Sequence, residues 1–225
     1  MIVELGEAPP ERVGGKAAGL AKLAALGLPV PPAVVLPVGA ELPDVDGLVA
    51  RLGEPLAVRS SAVGEDAADR SAAGQYETVL DVGSHGLAAA VERVRASAAG
   101  ERAVAYGAGG DVAVVIQRQV RATRAGVAFS RDPVTGDDDV LIECALGGGD
   151  AVVTGLLPPD RYWVGRARVR ARAAGAVRTL RDDEARVVAE LVRRAEAGFG
   201  TPVDVEFCFD KRQLWLVQCR PITTL

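Results

Sequence analysis

Val203 to Pro221 reads VDVEFCFDKRQLWLVQCRP, two alternating segments joined around Asp210-Lys211-Arg212. Period-2 alternation puts Val203, Val205, Phe207 and Phe209 on one face of the first segment and Asp204 and Glu206 on the other. In the return segment Leu214, Leu216, Gln218 and Arg220 share one parity, and Trp215, Val217 and Cys219 the other. Glu206 and Gln218 can face the same space only if the loop holds an odd number of residues or a bulge shifts the register. An acid, an amide oxygen and a guanidinium would then converge. Carboxylate and carbonyl oxygens suit Mg²⁺, which keeps waters and substrate phosphates as its other ligands, and a guanidinium forks onto phosphate oxygens. An ordinary hairpin with a solvated face is the alternative.

A chain of 225 residues, 49% hydrophobic and 25% charged, can bury one large core or two modest lobes and does not read as disordered. Its formal net charge of −4 argues against nucleic acid as a bulk electrostatic partner. Cys144, Cys208 and Cys219 lack metal-ligand spacing and read as reduced, buried thiols. MIVELGEAPPER contains no long apolar segment and no run approaches the length of a membrane span, so a cytoplasmic protein with no membrane partner is expected. His85 lies in a Gly-Ser-His-Gly turn and is expected to be an exposed connector.

Gly14-Gly15-Lys16 feeds a helix expected over 17–26. Such a turn offers bare N–H groups and a positive dipole end to an anion, or serves as a plain N-cap. It is not a Walker A motif. A strand is expected within 28–38, an irregular bridge over 39–54, and a buried strand from Pro55 to Val58 that ends in Arg59-Ser60-Ser61. The following AVGEDAADRSAAGQ has the composition of a phosphate-covering loop. A strand at 77–82, a helix at 86–98, a strongly β segment DVAVVIQRQV and a meander through VLIECAL follow. VGRARVRARAAGAVR reads as an exposed edge strand. Asp182 or Asp183 opens an amphipathic helix with Val187, Val188, Leu191, Val192 and Ala195 inward, closed by Gly198 and Gly200.

Four segments belong together: GGKAAGLAKLAALGLPVPP (14–32), LAVRSSAVGEDAADRSAAGQYETVLDV (56–82), VAVVIQRQV with AGVAFSRDPVTG (112–136), and PVDVEFCFDKRQLWLVQCRPI (202–222). With VRSSA-x-x-ED, AGQ-x-ET, DP-x-TG and Q-x-RP-I in this order, the chain resembles the nucleotide-binding domain of the pyruvate phosphate dikinase, phosphoenolpyruvate synthase and rifampin phosphotransferase family, a pyruvate- and phosphoenolpyruvate-linked group with an ATP-grasp fold. LLPPDRYWV extends the likeness over most of the chain. The resemblance implies an α/β (α+β) ATP-grasp architecture of two lobes, 1–117 and 118–225, clasping a nucleotide, with Gln117 to Val120 as the adenine-side hinge.

It also implies roles. Lys16 and Arg59 would hold phosphates, Glu206 and Gln218 would bind Mg²⁺ with Asp204 nearby, and Arg220 would contact the transferring phosphoryl group. Gln117 would line the nucleotide, Gln119 and Val120 would offer backbone groups to adenine, and Ser130, Thr135 and Gly136 would line it from the second lobe. Catalysis would rest on Arg59, Asp204 and Arg220 with ATP and Mg²⁺, since phosphoryl transfer depends on positioning and charge neutralisation. The relatives carry a phosphohistidine on a swivelling domain, and nothing here resembles that segment. The stretches between Pro32 and Leu56 and between Val164 and Asp183 are shorter than in those relatives, and Ser130 stands where Thr is usual. Three readings follow: a kinase or ATP-grasp ligase acting on a small acceptor in the inter-lobe cleft, the ATP-binding component of a split phosphotransferase that passes phosphoryl to a His on a separate protein, or a non-catalytic nucleotide-binding module.

Overall fold

The computed structural model describes residues 1–62, 77–98, 112–147 and 158–222, and the expected phosphate-covering loop after Ala62 lies outside them. The chain divides into two compact units, Met1–Ala21 with Pro31–Gln119, and Lys22–Val30 with Val120–Leu225.

Unit 1 contains β1 (Val3–Glu4), most of α1 (Pro10–Ala25), β2 (Ala33–Leu36), α2 (Val45–Leu52), β3 (Leu56–Ser61), β4 (Thr78–Val82), α3 (Leu87–Ala98) and β5 (Ala113–Arg118). Its strands form an antiparallel sheet in the order β1-β2-β5-β3-β4. Alternation decides the faces. Val34, Leu36, Leu56, Val58, Val114 and Ile116 pack with Leu48, Leu52, Leu87, Val91 and Val94 of α2 and α3 in one core. The expected bridge at 39–54 therefore holds a helix. Asp44 caps it by accepting from the Asp46 and Gly47 amides, and Leu48 and Leu52, one turn apart, supply its buried face.

α1 begins earlier than expected and is interrupted at Gly14, whose φ of 77° and ψ of 174° break the helical run. A Cβ there would meet the Ser61 carbonyl oxygen at 2.3 Å. This close approach docks the second helical segment onto the end of β3: Gly15 N–H donates to Ala62 O at 3.0 Å and Ala17 N–H to Ser61 Oγ at 3.1 Å. Those amides are used as helix caps, which answers for them the question the sequence left open.

Unit 2 contains β6 (Arg124–Phe129), β7 (Val140–Leu146), β8 (Asp160–Val164), β9 (Val169–Arg172), α4 (Asp182–Phe199), β10 (Val203–Phe209) and β11 (Leu214–Pro221). The antiparallel sheet runs β11-β10-β6-β7-β8-β9, so β9 is an edge as expected. α4 covers one face with Ala185, Val188, Ala189, Val192 and Ala195. Val187, expected inward, is 49% exposed, because the buried stripe is rotated by about one residue and takes in the alanines 185 and 189 instead. Gly200 ends the helix in the left-handed region at φ 71°. All three cysteines are buried thiols, and burial pushes the Cys144 thiol up to about 12. No helix among the described residues is long and apolar enough to cross a membrane.

Asp160, 4% exposed, ties the segment before α4 to β8. Its carboxylate accepts from the Ala174 and Thr179 amides, both at 2.6 Å, and from Tyr162 Oη at 3.1 Å, while Tyr162 Oη accepts from Leu180 N–H at 2.8 Å. Burial works to raise the Asp160 pKa, yet the amides and the phenol outweigh it and hold the carboxyl below its usual value.

Two outcomes are expected. Asp160→Ala leaves buried donors unsatisfied and costs unit 2 about 3 kcal/mol in urea unfolding. A depressed carboxylate pKa stabilises above the unfolded value of about 4, so the wild-type advantage over the variant is full at neutral pH and vanishes as pH falls through the folded pKa. Gly14→Ala sets a side chain against the β3 backbone in a positive-φ conformation and destabilises unit 1 by about 2–4 kcal/mol in the same assay.

Candidate functional site

The C-terminal hairpin carries the densest group of candidate residues. β10 and β11 pair Val203 with Pro221, Asp204 with Arg220, Val205 with Cys219 and Glu206 with Gln218; the register then shifts, and Phe207 pairs with Leu216. Val217 is the extra residue of a β-bulge. This is the condition the sequence set for Glu206 and Gln218 to share a face. The bulge also splits the parity class read from sequence: Leu214, Leu216 and Cys219 join the core, while Gln218 and Arg220 stand across from the two acids.

Arg220 Nε and Nη2 both reach Asp204 Oδ2 at 2.9 Å. Asp204 is 8% exposed. Burial raises its pKa, Arg220 pulls it down, and the neighbouring Glu206 pushes it up again, with a raised value as the net result. Two acids, Asp204 and Glu206, thus lie beside one guanidinium on this face. Among the described residues no three His, Cys, Asp or Glu side chains gather as a metal cage. A divalent ion held by Glu206 and Gln218 would need oxygen ligands from outside the protein, as Mg²⁺ on a polyphosphate has.

Ladder register extends this face across the sheet of unit 2. Arg170, Trp163, Leu141, Phe129, Asp204 and Arg220 are successive partners from β9 to β11, and directly paired residues lie on one face. The next row runs through Arg161, Glu143 and Val127 to Glu206 and Gln218, with Arg161 Nε 2.7 Å from Glu143 Oε1.

Ser130, 2% exposed, staples the start of β10 to the end of β6. Its Oγ accepts from Val203 N–H at 2.9 Å, and its own N–H donates to Val203 O at 2.9 Å. Thr135 and Gly136 are exposed in a turn built by Asp132, whose Oδ1 accepts from the Val134 and Thr135 amides at 2.9 and 3.2 Å and whose carbonyl accepts from Gly136 N–H at 2.8 Å. Asp132 Oδ2 accepts from Trp163 Nε1 at 3.3 Å. Burial acts to raise the Asp132 pKa, but the two amides, the indole and Arg161 lower it on balance. Asp132 and Trp163 were missed as candidates; an Asp preceding Pro and Gly in a turn was the available signal for the first.

In unit 1 the face of β3 opposite the core carries Ala57, Arg59 and Ser61, and Gln117 of β5 is paired with Ala57 on that face. The turn bearing Lys16 is tied to the same face through Ser61 Oγ. Lys16 and Arg59 are both partly exposed. Gln117 is 3% exposed, and its Nε2 has no hydrogen-bond partner among the described residues. A buried donor in that condition costs about 1–3 kcal/mol, which a ligand acceptor would recover. Gln119 also uses its side chain, besides the backbone groups expected to serve adenine. Its side chain bonds Asp81 twice, accepting from Asp81 N–H at 2.6 Å and donating to Oδ1 at 3.2 Å, and its own N–H donates to Pro55 O. Pro55 has no N–H to return, so the Gln119 carbonyl receives no such ladder bond. The Val120 carbonyl accepts from Ala122 N–H. His85 is exposed in a short 3-10 turn, 3.4 Å from Ser84 Oγ.

The family model described as the pyruvate phosphate dikinase AMP/ATP-binding domain matches residues 44–177 and 167–225. A rifampicin phosphotransferase of a Streptomyces species is 39% identical over 80% of this chain and 25% of its own length. A probable phosphoenolpyruvate synthase of Methanothermobacter thermautotrophicus is 30% identical over 99% of this chain and 45% of its own. The chain thus spans between a quarter and under half the length of these two relatives. Among solved structures, the D-alanine–D-alanine ligase of Bacillus anthracis complexed with ATP is similar at a TM-score of 0.54 and 13% identity, over 91% of this chain and 53% of that one; the L-amino acid ligase of Bacillus licheniformis gives 0.53 and 15%, over 94% and 43%. These likenesses carry the fold, which is ATP-grasp. With the family model covering most of its length, the chain belongs to the pyruvate phosphate dikinase AMP/ATP-binding domain family.

Proposed function

We propose that the protein binds Mg-ATP and activates it for phosphoryl transfer. The observation that carries this reading is the bulged hairpin, which sets Glu206 across from Gln218 and beside the Asp204–Arg220 pair. Glu206 and Gln218 hold the Mg²⁺, which neutralises phosphate charge. Asp204 orients Arg220, whose guanidinium contacts the transferring phosphoryl group. Lys16 and Arg59 add positive charge for the triphosphate. The orphan Nε2 of Gln117 finds its acceptor on the nucleotide, and the Gln119 carbonyl with the Val120 amide offers an acceptor and a donor to the adenine edge. Ser130, Thr135 and Gly136 contribute from the end of β6 and the turn after it. The protein's part in catalysis is positioning and electrostatic stabilisation.

A diffusible small molecule is the acceptor in the first form of this reading. A second form passes phosphoryl to a histidine of another protein. Its support is that more than half the length of the curated relatives lies outside their match to this chain, and that the one histidine here is an exposed turn residue paired with a serine.

The test is ³¹P NMR of purified protein with Mg-ATP, alone and then with small-molecule and protein fractions of a cell extract. ADP or AMP formed with the first fraction establishes a small acceptor, and turnover only with the second establishes a protein acceptor. Glu206→Ala should lower turnover at least about tenfold while far-UV CD and Tm stay close to wild type, because a partly exposed metal-site carboxylate adds little to the core. Arg59→Ala should retain much of the nucleotide affinity and lose turnover. A fully active Glu206→Ala protein would sink the metal assignment.

A further inference from the structure

We infer that Trp163 is a positioning residue for nucleotide binding, acting through Asp132 on the turn that presents Thr135 and Gly136. The inference rests on the proposed Mg-ATP reading and adds to it a residue outside the candidate ligand set. Trp163 stands on β8 in the same ladder row as Asp204 and Arg220, on the face that carries the metal pair. Three strand spacings, about 14 Å, separate β8 from β10 along that row. The indole Nε1 holds Asp132 Oδ2 at 3.3 Å, and the other oxygen of that carboxylate holds the Val134 and Thr135 amides. One carboxylate thus couples the orientation of an indole on a rigid strand to the backbone of an exposed turn. The ring is fixed in its own right: Arg170, paired with it across the ladder, lies 5.5 Å from its centroid and bonds Asp139 at 3.2 Å.

The chain contains an internal control. Its other tryptophan, Trp215, donates Nε1 to Asp210 Oδ2 at 3.0 Å, and Asp210 Oδ1 accepts from the Arg212 and Gln213 amides. The same device holds the tip of the β10–β11 hairpin, where no nucleotide role is assigned. A structural role alone predicts that losing either indole N–H has the same effect.

The experiment compares Trp163→Phe, Trp215→Phe and Asp132→Asn in the full chain by calorimetric titration with Mg-ATP, with Tm measured on each. Asp132→Asn keeps an acceptor for the two amides and loses the acceptor for the indole. Trp163→Phe and Asp132→Asn should each weaken ATP binding about fivefold, the size of one typical net hydrogen bond transmitted through the turn, and Trp215→Phe should bind as wild type with a similar change in Tm. In the Trp215→Phe protein Trp163 is the sole indole, and its emission should shift on addition of Mg-ATP. Wild-type affinity in Trp163→Phe, or equal weakening in Trp215→Phe, overturns the inference while the proposed function stands. A wild-type protein that fails to bind ATP overturns the parent reading, and the inference with it, before any variant is compared.

Discussion

The single extra residue at Val217 governs what the C-terminal hairpin can do. Had the register of Phe207 with Leu216 continued, Glu206 would face Val217, and Gln218 would fall beside Val205 in the apolar core. Burying an amide there without partners costs on the order of several kcal/mol. Leu214 and Leu216 demand the core in the outer half of β11, and Gln218 and Arg220 demand the polar face in the inner half. No uniform two-residue period satisfies both demands, and the bulge resolves them. Hydrophobic burial therefore sets the alignment of acid, amide and guanidinium, and the chemistry of the face inherits its precision from the packing beneath.

The electrostatics of that face follow from the same geometry. Asp204 is buried enough for desolvation to dominate its titration, and Arg220, which spends two nitrogens on one of its oxygens, does not fully compensate. In the neighbouring row Arg161 and Glu143 form an ion pair of their own. In unit 1 the Gln117 amide is a neutral donor without an acceptor among the described residues. A fold keeps such a cost where a ligand can offset it.

The sequence carried the strand pattern of the hairpin, the edge strand and the long helix of unit 2, because each rests on local periodicity or a clear terminus. It did not show α2, whose eight residues give only two buried leucines and whose Asp44 cap sits among other acids. It misjudged Val187 because alanines, which a hydrophobic stripe undervalues, provide much of the packed face of α4. The helix beginning at Pro10 was hidden by Gly14, which breaks one helical run and allows the next to dock. For the site, residue identity was legible and partnership was not. Ser130 bonding to Val203, Gln119 to Asp81 and Asp132 to Trp163 join positions dozens of residues apart, and period reading has no access to such separations.

β10 enters the sheet of unit 2 beside β6, with β7, β8, β9 and α4 intervening in the chain. The β6–β9 meander pairs strands that are neighbours in the chain. Joining β10 to β6 closes a far longer loop, whose entropy must be met before the contact is gained. Pairing of the acid-bearing hairpin with β6 is thus the most non-local step in the sheet, and it covers what would otherwise be an unpaired edge of β6. Ser130, bonded twice to Val203 where β10 meets β6, fastens the two strands at the end of that long closure.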